Sequence, residues 1–312
     1  MNEIEKDITK VLVFYDILEK PLTSLEIFKY LPAQKRQISF FEFKKILETS
    51  EPLKKIINRQ AGLFFLFGRA DLLKIREARM KENQLKLKKL KNISFILFFV
   101  PFLKMASLTG SLTLQNAKAS SDFDLLVAAG ENRLWTTRAF LIFITQVFGA
   151  RRHGQKIKNR FCLNCFLTQN SLKIKKEAKA RDFFSAQEYG RLIPVLEKES
   201  GVAAAFFKEN RWLGDFLNFL PEPQNFLFKT KISFAKKIPA QVLESLLGGH
   251  AGDWLEKKMG DWQKKRISSK PPHLPEDQIF VDQDCLIFHP QSKSKKVLAE
   301  WQIKGNKLIN QI

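Results

Sequence analysis

Apolar side chains recur at helical spacing over residues 7 to 19, DITKVLVFYDILE, and stop before Pro21, so a first amphipathic helix is expected there. Thr23 is a capping residue ahead of a second helix over 23 to 31, and ISFFEFKKILE at 38 to 48 gives a third. After Pro52, KKIINR and LFFLFG flank Gln60-Ala61-Gly62, which predicts a hairpin with glycine in its turn. Residues 71 to 91 form a long, mostly polar helical stretch. It carries Lys74, Arg76, Arg79, Lys81, Lys86, Lys88, Lys89 and Lys91 against Asp71, Glu77 and Glu82. That balance reads as a solvated connecting helix, with a nucleic-acid-facing ridge as the alternative. The run 93 to 103, ISFILFFVPFL, is too short for a bilayer span and contains Pro101, so a buried helix is expected.

The pattern then changes period. An apolar run from Lys104 ends at Gly110-Ser111, and a second, LLVAA, starts directly after Asp122-Phe123-Asp124. An amphipathic helix over 134 to 148, a strand over 161 to 167 and a helix over 182 to 193 follow. Beyond residue 200 the pattern predicts a helix at 201 to 217 and a linker at Pro221-Glu222-Pro223-Gln224. One or two helices broken at Gly248-Gly249 come next, within 243 to 259, then short extended pieces in 277 to 289 and a last helix over 294 to 303.

Composition adds a polyanion affinity. Lys plus Arg number 53 against 32 Asp plus Glu, a formal net charge of +21, and such a surplus attracts nucleic acids or nucleotides through counterion release. The 3 cysteines, Cys162, Cys165 and Cys285, are odd in number and lack paired metal-type spacing, so neither a disulfide framework nor a zinc site is supported. The opening MNEIEKDITK is polar and carries no secretory signal. A cytoplasmic protein without membrane contact is the expectation.

The chemistry concentrates between residues 104 and 129. Alternate side chains on a strand share a face, so Asp122 and Asp124 would project together, roughly 6 to 7 Å apart, while Phe123 turns into the core. Two acids on one face suit a hard divalent cation such as magnesium, which prefers carboxylate and phosphate oxygens. Gly110 lets backbone approach a triphosphate, and the Ser111 hydroxyl, the following amides and a helix starting there would meet its charge. Arg151, Arg152, His153, Lys156, Lys158 and Arg160 lie in a segment with no intervening acid, between and beyond Gly149 and Gly154. They read as a solvated loop, with a mobile basic loop beside the site, binding its phosphates or steering a polyanionic acceptor, as the alternative.

Gly110-Ser111, a short helix and Asp122-x-Asp124 followed by aliphatics resemble the signature of the polymerase-beta-type nucleotidyltransferase superfamily. The likeness is specific over about 104 to 130 and extends to about 195 through RLWTTR at 133 to 138, FCLN at 161 to 164 and AQE at 186 to 188. It implies an α+β fold with a nucleotidyltransferase-type mixed sheet and helices. The implied activity is magnesium-dependent transfer of a nucleoside monophosphate from a nucleoside triphosphate to an acceptor, which a protein, a small metabolite or an RNA end would satisfy. Asp122 and Asp124 would hold the metal, and Gly110 and Ser111 the phosphates. Lys118 would stand in for an arginine that many relatives carry a few positions after the Gly-Ser pair. The third carboxylate that most active members place on a later strand looks replaced by Asn164, on one face with Cys162 and Phe166, and Glu188 is a candidate substitute.

The three helices and hairpin before this core resemble a winged-helix domain. Lys44 and Lys45 of its third helix would be available to phosphates, although Phe40, Phe41 and Phe43 are not a base-reading set. The expected organisation is therefore a winged-helix-like domain at 1–70, connecting helices at 71–103, a catalytic core at 104–195 and a mostly helical region at 196–312 packed over that core. His250 and His289 are expected in structural roles. A second reading keeps the fold and drops turnover, as a nucleotide-sensing or nucleic-acid-binding module.

Overall fold

A computed structural model describes residues 1–32, 38–220, 238–269, 278–289 and 292–311. The expected linker at 221 to 224 lies outside them. Asn2 and Glu5 form a reciprocal capping box, so the first helix, α1 (Glu3–Ile17), starts a turn before the apolar pattern does. A two-residue strand, β1 (Leu22–Thr23), leads into α2 (Ser24–Tyr30), whose box is Thr23 and Glu26. Ser39 and Glu42 do the same for α3 (Phe40–Thr49), and one turn, α4 (Glu51–Lys54), precedes the hairpin of β2 (Ile57–Gln60) and β3 (Leu63–Leu66). Ala61 and Gly62 occupy its turn with φ of 51° and 75°, as a tight two-residue connection requires. Strand β1 pairs with the outer edge of β3, making a three-stranded antiparallel sheet in the order β1-β3-β2.

The core of this N-terminal unit reaches beyond residue 70. Phe183 belongs to its buried cluster, with Phe14 edge-on at 4.8 Å and Trp301 stacked at 5.0 Å between ring centres. The Trp301 indole donates to the Lys10 carbonyl at 2.7 Å, and Lys304 pairs with Asp16.

The long α5 (Leu72–Ile93) inverts its expected role. Its buried face is Leu72, Arg76, Arg79, Asn83, Lys86 and Leu90, spaced 4, 3, 4, 3 and 4, whereas Met80 and Leu85 face solvent. A stripe at that spacing lies along one side of a helix, and here it is mostly polar. The helix is thus a strut between the N-terminal unit and the sheet. The apolar run after it is a 3-10 turn, Ser94–Phe99.

The main sheet has six strands in the order β7-β4-β5-β6-β9-β8 and is mixed, with only β5 and β6 parallel. Its centre is β4 (Leu103–Leu108), a single turn α6 (Gly110–Thr113), β5 (Phe123–Ala129), the crossover helix α7 (Leu134–Val147) and β6 (Phe161–Thr168). On β5, Phe123, Leu125, Val127 and Ala129 join one buried cluster and Leu126 and Ala128 the other. Both faces are covered, which is why the run reads as continuously apolar. Helix α8 (Phe183–Tyr189) ends at Gly190, earlier than its pattern suggests. Residues from Ile193 turn back as the edge strand β7 (Ile193–Glu197), which tolerates Pro194 because an edge leaves that backbone nitrogen unneeded.

The region after 196 is mostly helical, with its short extended pieces paired into the main sheet. Helix α9 (Val202–Glu209) and a 3-10 turn, Arg211–Asp215, cover one face, and α10 (Ile238–Leu246) and α11 (His250–Ser268) the other, with the break at Gly248-Gly249 as expected. Strands β8 (Gln278–Val281) and β9 (Cys285–His289) then extend the sheet itself beside β6, and α12 (Ser294–Asn310) returns to pack on α1. The C-terminal segment therefore completes both units instead of lying over one. Among the described residues no helix is long and apolar enough to cross a membrane.

Candidate functional site

Asp122, Asp124, Cys162, Gly110 and Ser111 meet on the wall of one cavity of about 820 Å³. The strands explain the meeting. Thr109, at the end of β4, donates its amide to the Asp124 carbonyl at 3.0 Å, which sets the Gly110 turn beside the head of β5. Gly110 has φ of 70°, and a Cβ there would come within 2.7 Å of Asp124 Oδ2. A glycine is needed both for the left-handed backbone and for the room. On the other side, Asp124 and Cys162 are register partners across the parallel β5–β6 pair.

Ligand atoms of Asp122, Asp124 and Cys162 all lie within 4.8 Å of one another, a group able to hold a metal ion. The expected face-sharing of Cys162, Asn164 and Phe166 holds only in part. The ladder slips between Leu125 and Leu126, leaving Asn164 as the extra residue of a bulge. Alternation shifts there, so Phe166 joins the cluster on the far face while Cys165 turns to the near one. Asn164 still reaches the site, donating its amide to Asp124 Oδ1 at 3.0 Å. Cys162 is the residue beside the two acids.

Charge in this corner is crowded. Burial, followed by the charges of Asp122 and Glu188, pushes the Asp124 carboxyl up to about 7, against the pull of Arg152 and Cys162. Burial, then the neighbouring acids Asp124 and Asp122, holds the Cys162 thiol well above its ordinary range. Arg152 donates to Asp122 Oδ2 at 2.6 Å and reaches Cys162 Sγ at 3.4 Å.

Two carboxylates held together against their own repulsion, with Asp124 Oδ2 facing a glycine, fit a hard divalent cation. The protonated thiol does not, because the thiolate is the metal-binding form. The fitting set is Asp122 and Asp124.

Backbone hydrogen bonds fasten the basic segment to the head of β6. Arg152 donates its amide to the Phe161 carbonyl at 3.0 Å, Phe161 donates to Ala150 at 2.7 Å, and His153 and Lys156 form a bridge. This fastening delivers Arg151, Arg152 and His153 to the cavity wall.

Lys118 does not line the cavity. Its ammonium sits 3.3 Å from Glu19, largely exposed. The helix after Gly110 is one turn, four residues long. Since a macrodipole is a sum over aligned peptides, phosphate binding there would fall to single amides and the Ser111 hydroxyl.

Glu188 does lie on the wall. Burial opposes its charge, yet Lys179 at 3.1 Å and then His289 at 3.9 Å hold its carboxyl below the usual range. His289 faces the same cavity 3.4 Å from the Tyr189 hydroxyl, and burial pulls it down to about 4, so it is neutral at physiological pH. His250 is exposed at the start of α11, in no apolar setting. Arg138, Lys179 and Lys293 line the cavity too, and only their neighbours in space mark Lys179 and Lys293. Arg138 was visible as a polar interruption in an apolar helix.

No family model, no curated protein and no solved structure matches this chain.

Proposed function

We propose that this chain transfers a nucleoside monophosphate from a magnesium-bound nucleoside triphosphate to an acceptor hydroxyl. The observation that carries the reading is the Gly110 turn packed against Asp124 Oδ2, with Asp122 beside it, on the wall of a cavity that Arg138, Arg151, Arg152 and Lys179 also line. The likeness of Gly110-Ser111 and Asp122-x-Asp124 to the polymerase-beta-type nucleotidyltransferases supports it. So does the mixed sheet, whose central strands set those residues side by side.

Asp122 and Asp124 would hold magnesium, which supplies charge neutralisation at the transferring phosphoryl group. The amides from Gly110 onward and the Ser111 hydroxyl would take β- and γ-phosphate oxygens, work that needs a close backbone and no long helix. Arg152 holds Asp122 by a single ion pair, half exposed. It would exchange that carboxylate for phosphate oxygens, and Arg151 and Lys179 line the same wall. The acceptor oxygen bonds to the α-phosphorus as the bond to the bridging oxygen breaks. Pyrophosphate leaves, and the hydroxyl proton passes to solvent. The N-terminal helices and three-stranded sheet, winged-helix-like in order, would serve as a packing module. Phe43 is buried in it and Tyr15 ties it to α8 through Gln187 at 2.6 Å.

The experiment is transfer of label from an α-labelled nucleoside triphosphate, with magnesium, to components of a cell extract. Label transfer that disappears in Asp122→Ala with Asp124→Ala supports the reading, and transfer that survives that double change sinks it. The second reading, a nucleotide-sensing or nucleic-acid-binding module without turnover, is favoured by one observation. Asn164 and the thiol of Cys162 stand where a third carboxylate would complete the set. Absent transfer together with salt-sensitive retention of nucleic acid would select it.

A further inference from the structure

A second cavity of about 380 Å³ lies between α7 and α11 and shares Arg138, Ile142 and Arg151 with the larger one. Three guanidinium groups, those of Arg138, Arg151 and Arg266, line it. No carboxylate among the described residues pairs with any of them. Arg138 donates to Gln263, while its Nε is buried without a partner. Burial, followed by the like charges of Arg151 and Arg266, pulls the Arg138 guanidinium down to about 10, and burial and Arg266 lower Arg151. Lys20 and Arg76, by contrast, are each paired with a carboxylate, that of Glu26, at 2.8 Å and 2.7 Å. A cluster of guanidinium groups with no carboxylate partner among the described residues, beside a groove, suits an anion brought from outside.

The flank of the groove narrows the anion. Trp262 is 54% and Phe143 65% exposed, and Arg266 lies over the Trp262 ring at 5.6 Å. Exposed aromatic faces interleaved with arginines are how single-stranded nucleic acid is held, by stacked bases and neutralised phosphates. Fixed geometry supports the groove. Glu256 of α11 caps the amides of Trp135 and Thr136 at 2.8 and 2.7 Å, and Gly260 lets the Trp135 ring seat against α11.

We infer that this groove is the acceptor subsite: Arg138, Arg151 and Arg266 take a phosphate of a single-stranded nucleic acid, a base stacks on Trp262, and the strand's terminal hydroxyl enters the larger cavity through the shared wall. The inference rests on the transfer reading for the fate of that hydroxyl, while the binding surface stands apart from it.

The test is fluorescence anisotropy of a labelled oligoadenylate RNA of about ten nucleotides over a range of salt. It compares the wild-type chain, Arg151→Gln with Arg266→Gln, and Trp262→Leu, each checked for an unchanged thermal melt. Loss of one stacked base at Trp262 should weaken binding about tenfold. The double arginine change should weaken it at least as much and flatten the salt slope by roughly 0.7, the share of the one phosphate it releases. Binding unchanged in both variants, or no binding by the wild type, overturns the inference. So does equal affinity for duplex DNA that is indifferent to Trp262→Leu, since that would be general basic attraction. Asp122→Ala with Asp124→Ala should bind the oligonucleotide normally. If the arginine variants lose RNA and the wild type transfers no label, the groove stands and the transfer reading alone fails.

Discussion

At the head of β5, Asp122 and Asp124 crowd each other with one arginine and one amide for company. Along α5, Arg79 donates to the carbonyls of Leu18 and Glu19 at 2.9 and 3.0 Å and to Asn116 Oδ1 at 2.8 Å. Lys86 donates to the carbonyls of Ala119 and Ser121 at 3.0 and 2.7 Å and to Asn159 Oδ1 at 2.8 Å. Both regions draw charge out of water, and desolvation is costly in each. On α5 every such cation is met, so the helix spends its charges on joining the N-terminal unit to the loops that carry Ser111 and Asp122. At β5 burial, and then the charges of Asp122 and Glu188, raise the Asp124 carboxyl to about 7. Matched charge holds the fold together, and unmatched charge is left for a ligand.

The sharpest way to break the comparison is Asp124→Asn, which removes the repulsion and the metal-facing charge together. Transfer should fall by a factor on the order of 10³, as when a main electrostatic element of a site is deleted. The thermal melt should stay level or rise, because a strained carboxylate is gone. A melt that drops sharply would place Asp124 among the matched, structural charges.

A smaller effect comes from pH. Burial disfavours the Glu26 carboxylate, but Lys20 and then Arg76 win and hold it at about 2 against an ordinary 4.5. Below 4.5 the unfolded chain takes up a proton that the folded chain refuses. The stability from this group, on the order of 3 kcal/mol, is therefore full above about pH 5 and lost as pH falls from about 4.5 towards 2. Lys20, pulled down to about 8 by burial, stays charged throughout that window. Denaturant unfolding of Glu26→Gln, which keeps the capping partner of Thr23, should show an acid limb shallower by one proton. An unchanged limb would mean the carboxylate is not matched as described.

The same contrast explains what could be read from the chain. Strand β5 was legible because its continuous apolar run and its two acids are both local patterns, and Gly110 was legible because only glycine suits that turn. The hairpin at 57–66 and the α2 cap at Thr23 followed for the same reason. The α5 strut was not, since Arg76, Arg79 and Lys86 look like surface cations until the carbonyls they satisfy are placed, and those come from residues 18 to 21 and 119 to 121. The face of Phe166 was hidden by the bulge at Asn164, because one slipped residue reverses every later face. Strands β8 and β9 were read as extended, but their pairing with β6 is a long-range choice that no local run records.

Lys86→Met tests the matched side directly. It leaves two carbonyls and an amide oxygen without their donor, and should cost about 2 kcal/mol. Because those carbonyls belong to Ala119 and Ser121, just before Asp122, transfer should weaken as well. A fall in stability alone would show that the loop keeps its place without the strut.

The last contrast lies on α5 itself. Leu85, 59% exposed, sits next to fully buried Lys86, so the apolar residue and the cation have exchanged the places their chemistry suggests. Leu85→Glu therefore removes almost no buried apolar area and adds a charge to a face already in water. Its position one turn before Lys89 adds a favourable pair of about 0.3 kcal/mol. The change should leave chemical denaturation within about 0.5 kcal/mol of the parent chain. If it instead costs as much as Lys86→Met, then the outward face of α5 is covered by a partner in solution, and the division between matched and unmatched charge would have to be redrawn around that contact.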